Sequence, residues 1–93
     1  MSTSLSARVA IPPDVLFQEL EGACVLLNLD TERYYSLDDV GTRMWQVMAE
    51  HNDVATVVEQ LLDEYDVHEA TLRHDLANLI AELTEEGLIT VQP

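Results

Sequence analysis

The sequence predicts an α+β fold with a winged-helix-like order: a three-stranded antiparallel sheet followed by three helices. Three observations carry that expectation. The first half of the chain alternates its residues at period two, whereas the second half repeats apolar residues at helical spacing. Turn residues and helix caps punctuate it at short intervals, so neighbours in sequence should be neighbours in space. Strands that precede helices, rather than alternate with them, leave the helices on one face of the sheet.

Each element has a local reason. Ile11-Pro12-Pro13-Asp14 cannot lie in a central strand, because two prolines lack the donor a ladder needs. Val15–Leu20 is expected as the first strand. Glu21-Gly22 then turns the chain, since glycine tolerates positive φ. Ala23–Leu29 is the second strand, with Val25, Leu27 and Leu29 on one face and Cys24, Leu26 and Asn28 on the other. Asp30-Thr31-Glu32 is a second turn, and Arg33–Leu37 the third strand. Asp38 or Asp39 caps a helix running to about Glu50, and Asp53 caps the next. There Val54, Val57, Val58, Leu61 and Leu62 form a buried stripe. The last helix spans Glu69–Glu86, with Leu72, Leu76, Leu79, Ile80 and Leu83 on its inner side. Gly87 stops it in a left-handed conformation, and Leu88 makes the accompanying apolar contact. Leu88–Val91 is a short extended end.

The core is expected from Val25, Leu27, Leu29, Tyr35, Leu37, Met44, Trp45, Met48, Val57, Leu61, Leu72, Leu76, Leu79 and Leu83. Residues 1–7 are expected as a disordered tail and 8–93 as a single domain.

Charge narrows the functions. The 93 residues carry 4 Arg, no Lys and 18 acidic side chains, a net charge of −14. Nucleic acid is bound largely through neutralised phosphates, so a DNA- or RNA-reading role is disfavoured. An anionic membrane surface is disfavoured on the same ground. No secretory signal and no run long enough to span a bilayer is legible, so a cytoplasmic protein is expected.

Residues that carry chemistry are sparse. His68 and His74 lie six apart on one helix and point to different sides, unlike a helical metal pair. Cys24 has no histidine or basic neighbour to lower its pKa, so it reads as a packing thiol. The acidic pairs Asp38-Asp39, Asp63-Glu64 and Glu85-Glu86 read as caps or solvated faces. The glycines are too scattered for a phosphate loop. No enzyme activity, cofactor or metal is therefore expected.

What remains is a binding surface. The third strand is an outer strand, and Tyr34-Tyr35-Ser36-Leu37 lacks the Lys, Pro or bulge that usually blunts an edge. Such an edge can take an extended peptide as an added strand, with the last helix as the second wall. The competing reading has Tyr35 and Leu37 filling the core and the edge covered by the chain's own tail.

The run Val25-Leu-Leu-Asn-Leu-Asp-Thr-Glu-Arg-Tyr-Tyr-Ser-Leu-Asp-Asp-Val-Gly-Thr-Arg-Met-Trp45 resembles the signature of the PqqD-like proteins. These are the recognition elements for precursor peptides in ribosomal natural-product (RiPP) pathways. Val54–Tyr65 and Asp75-Leu-x-x-Leu-Ile-x-x-Leu-x-x-x-Gly-Leu-Ile89 also match, so the resemblance covers about residues 8–91. One departure is Asp38 where Asn is common, which preserves the helix cap.

The resemblance implies a winged-helix-like domain without catalysis that grips a precursor's leader segment and presents it to maturation enzymes. Carried onto this chain, it implies peptide contacts from Arg33, Tyr34, Tyr35, Ser36 and Leu37. Helical geometry then adds Leu72, Arg73, Leu76, Ala77 and Ile80 as the groove-facing side of the last helix. Arg73 is expected to pair with a leader carboxylate, and the acidic remainder to meet a basic patch on a partner enzyme. Within the family, the chain looks most like members of lasso-peptide clusters, whose partners are a cysteine-protease-type leader peptidase and an ATP-dependent cyclase. The alternatives are a chaperone for the pyrroloquinoline quinone precursor and an acidic winged-helix dimerisation domain. A monomer or weak dimer is expected.

Overall fold

The computed structural model describes residues 8–21 and 23–92, so the expected tail at 1–7 lies outside the described residues. Strands β1 (Arg8–Ala10), β2 (Val15–Leu20), β3 (Ala23–Asn28) and β4 (Arg33–Leu37) come first. Helices α1 (Asp39–Glu50), α2 (Val54–Glu64) and α3 (Glu69–Glu85) follow, and β5 (Thr90–Gln92) ends the chain. The three-stranded antiparallel sheet has the order β2-β3-β4. The fold class is the expected α+β arrangement, with one addition. Strands β1 and β5 pair as a second, two-stranded sheet, register Val9↔Val91. These three-residue strands are too short for a periodic signal. What holds them is tertiary: Val9 N–H donates to the Asn52 carbonyl at 2.8 Å, and Asn52 Nδ2 donates back to the Val9 carbonyl at 2.9 Å.

Helix boundaries follow the caps. Asp38 accepts from the Gly41 backbone N–H at 2.7 Å, and Asp53 accepts from Ala55. At the end of α3, Gly87 has φ +74°, and Leu88 N–H closes onto the Leu83 carbonyl at 2.8 Å. Gly87 N–H donates to the Thr84 carbonyl, so this is a complete left-handed stop that releases the chain toward β5. Leu88 is buried, as the stop requires.

The helices cover one face of the sheet, with α1 packed on β3, β4 and α2, and α2 packed on α3. The core joins Leu26 and Leu37 from the sheet to Met44, Trp45, Met48, Val57, Leu61, Leu72, Leu76, Ile80 and Leu83 from the helices. Arg43 braces this layer. Arg43 on α1 donates through Nε and Nη2 to the two carboxylate oxygens of Glu64 on α2, both at 2.6 Å. These bonds hold the Glu64 carboxyl down at about 2.

The inward face of β3 differs from expectation. Cys24, Leu26 and Asn28 are buried, Val25 and Leu27 are half-buried, and Leu29 is 53% exposed. The cause is loop length. A three-residue loop over Asp30–Glu32 would pair Leu29 with Arg33 and set Val25 and Leu27 beside Tyr35 and Leu37. Instead Asn28 pairs with Arg33, Leu26 with Tyr35 and Cys24 with Leu37, so Leu29 joins the loop. One residue of slip exchanges every side chain between faces. Cys24 is consequently sealed in the core, and burial pushes its thiol up to about 11, with Glu19 adding to the effect.

Asn28 explains why this register holds. Its Oδ1 accepts from the backbone N–H groups of Asp30 and Thr31 at 2.9 and 3.2 Å, organising the turn. Its Nδ2 donates to the Gly87 carbonyl at 2.8 Å, tying the hairpin to the end of α3. Asn28→Ala is therefore expected to lower unfolding stability by about 1–2 kcal/mol, since the three hydrogen bonds made by the buried Asn28 side chain are lost while its exposed partners regain water. Urea unfolding monitored at Trp45 checks this; a loss under about 0.5 kcal/mol would show that the bond to α3 contributes nothing.

Candidate functional site

Strand β4 pairs only with β3, so its outer edge has no strand partner among the described residues. Beside that edge lies an open groove of about 440 Å³. Its walls come from Tyr35, Ser36 and Leu37 of β4, from Asp75, Asn78, Leu79 and Glu82 of α3, and from the start of α1 at Asp38, Val40, Gly41 and Met44. Gly41 packs closely into this corner. A Cβ there would lie 3.2 Å from Asp38 Oδ1 and 3.3 Å from Leu37 Cδ2, tighter than side chains normally pack.

The candidate residues separate clearly. Tyr35, Ser36 and Leu37 line the groove. Arg33 sits at the strand's end, where its Nη1 meets Glu86 of α3 at 3.1 Å. Tyr34 is 71% exposed and faces the other side of the sheet, where it lines a shallow depression with Leu16, Gln18, Val25 and Leu27. On α3 the expected residues are not the ones that line this groove. Leu72, Leu76 and Ile80 point into the core, and Arg73 and Ala77 are absent from the groove wall. Arg73 is instead paired with Glu69 one turn back at 2.5 Å.

The reason is handedness. At about 100° per residue, the buried row 72, 76, 80 and 83 has two flanks. Positions 73 and 77 lie on one flank, and 75, 79 and 82 on the other. Sequence pattern treats the flanks alike; the side on which β4 runs decides between them. Leu79, expected in the core, is half-buried and faces the groove. Its signal was available as an apolar residue at the border of the stripe next to two acidic ones.

Two groove walls are joined by a hydrogen bond. The Tyr35 hydroxyl donates to Glu82 Oε2. That bond, with burial and the nearby carboxylates, raises the Tyr35 phenol to about 12. A phenol raised above its unfolded value of about 10 stabilises the fold fully below that pH, and the contribution is lost as pH rises through 12. Glu82→Gln is expected to return the Tyr35 transition toward pH 10, read as phenolate absorbance in a variant whose other tyrosines are Phe. An unchanged transition would mean that the bond does not form in solution.

The described residues that line the groove include no histidine, cysteine or lysine. Among the described residues no group of three or more His, Cys, Asp or Glu is placed to hold a metal ion. No helix among the described residues is long and apolar enough to cross a membrane.

These features define a class: a small α+β scaffold that leaves one strand edge open beside a helix-walled groove. The chain belongs to the PqqD family, whose model, described as coenzyme PQQ synthesis protein D, matches residues 23–89. A solved structure described as "TbiB1 in Complex with the TbiA(beta) Leader Peptide" is similar at 30% identity and TM-score 0.79. That match covers 85% of this chain and 92% of that one. A second, "Lasso peptide synthetase B1 complexed with the leader peptide", shares the fold at 24% identity and TM-score 0.78, covering 89% and 98%. Comparison with curated proteins found no match.

Proposed function

We propose that this chain binds the leader segment of a ribosomally made precursor peptide. The leader adds as a strand to the outer edge of β4 and packs against α3. The bound precursor is then delivered to maturation enzymes, a leader peptidase and a cyclase of a lasso-peptide pathway. The protein is an adaptor rather than a catalyst, and it acts in the cytoplasm where precursors are made. One observation carries this reading: the unpartnered β4 edge opens directly onto the groove walled by α3. Main-chain hydrogen bonds along such an edge give affinity, and the groove selects alternate side chains. The resemblance to a TbiB1 structure that contains a leader peptide supports it.

Within the groove, Tyr35, Ser36 and Leu37 supply the strand side, and Leu79, Asp75 and Glu82 the helix side. Titration calorimetry with synthetic leader segments of lasso-peptide precursors tests the proposal. Micromolar or tighter binding is expected, about −8 kcal/mol or stronger. Hydrogen exchange should then slow in β4, which gains partners for its outer groups. Absence of binding, or protection confined to another surface, would overturn it.

The family description favours a second reading, in which the precursor belongs to pyrroloquinoline quinone synthesis. Substituting that pathway's precursor in the same titration separates the two. Self-pairing through the β4 edge is opposed by the −14 charge on each copy. Sedimentation showing a dimer that peptide does not dissociate would favour it instead.

A further inference from the structure

The charge of the groove restricts what can enter it. Three carboxylates line it, Asp38, Asp75 and Glu82, and no Lys, Arg or His does. They are not equivalent. Asp38 is engaged with the Gly41 N–H as the cap of α1, and Glu82 accepts from the Tyr35 hydroxyl. Asp75 has no ion-pair partner among the described residues. The nearest cation on the strand side, Arg33, is already paired with Glu86.

Placement along α3 adds a pattern. Asp75 lies one turn before Leu79, and Glu82 about one turn after it, all on the flank that faces the groove. The half-buried Leu79 is thus an apolar contact with a carboxylate on either side. In a strand added to β4, alternate residues share a face and lie about 6–7 Å apart, close to one helical turn of about 5.4 Å. An apolar side chain over Leu79 therefore brings the residues two positions away toward Asp75 and Glu82. Asp75 and Glu82 are both exposed, so their pull on a cation acts at short range and is screened by salt.

The geometry points to a leader strand with an apolar anchor and a Lys or Arg two positions from it, read by Leu79 together with Asp75 and Glu82. This rests on the peptide-binding reading above and adds the chemistry of the bound segment. An acidic segment is excluded from the groove by like-charge repulsion.

The test uses random 12-residue peptides displayed on phage and selected on the full chain. Enriched peptides are then labelled with fluorescein and titrated by anisotropy. Peptides with the basic–x–apolar spacing are expected. The double variant Asp75→Asn/Glu82→Gln should bind them at least about fivefold more weakly at low salt, with the gap closing near 0.5 M salt. That variant keeps most of the net charge, so the loss reports local recognition. Enriched peptides that are neutral or acidic at those positions overturn the inference. Peptides that need Leu79, by loss of binding to Leu79→Asp, but bind the double variant as well as the wild type overturn it alone. Peptides indifferent to Leu79→Asp overturn the groove reading with it.

Discussion

Leu79→Asp is expected to fold normally and to lose at least about thirtyfold in leader affinity, about 2 kcal/mol or more. Leu79 is half-buried on the groove wall, so the aspartate can reach water without opening the core. In the complex, however, it would place a charge where an apolar peptide side chain must pack. The control is Ala77→Asp, on the other flank of α3. It adds the same charge and should change affinity by less than about threefold. Leu76→Asp cannot serve, because Leu76 is 1% exposed and a charge there would unfold the domain. Calorimetry with circular dichroism melts reads both variants. Equal losses from Leu79→Asp and Ala77→Asp would mean that long-range charge, not the groove, controls binding.

Leu26→Ala is the second large effect, on stability rather than binding. Leu26 is fully buried between Phe17 and Tyr35 in the ladder, so its truncation should cost about 2–5 kcal/mol. Leu27, the next residue, faces the open side of the sheet and is only half-buried. Leu27→Ala should cost under about 1 kcal/mol. Two leucines adjacent in sequence thus report the register of the hairpin. Equal costs, or the reverse order, would mean that the hairpin turns through three residues rather than the four of Leu29–Glu32.

Both experiments address places where local pattern was insufficient. The segment Cys24–Leu29 is apolar on both faces, so hydrophobicity could not choose which face turned inward. Asn28 argued for the wrong choice, because a polar side chain is ordinarily placed outside. Its three hydrogen bonds, one of them to Gly87 far along the chain, reverse that preference. On α3 the ambiguity was a rotation. Leu79 and Ile80 both border the stripe, and only one can enter the core beside Leu76. By contrast, α1 begins after Asp38, α2 begins after Asp53, and α3 stops before Gly87, all as expected. Those signals are satisfied within a few residues of themselves. The short β1–β5 pair had no such signal, since its stability depends on Asn52.

The order of elements, their caps, the acidic charge and the unblunted edge at Tyr34–Leu37 all follow from nearest neighbours along the chain, where turn chemistry and side-chain spacing act over a single turn or hairpin. Which face of β3 is dry, and which flank of α3 meets β4, required the folded chain. Each is a choice between nearly equivalent sides, and only contacts between residues distant in sequence, such as Asn28 with Gly87 and Tyr35 with Glu82, separate them in energy.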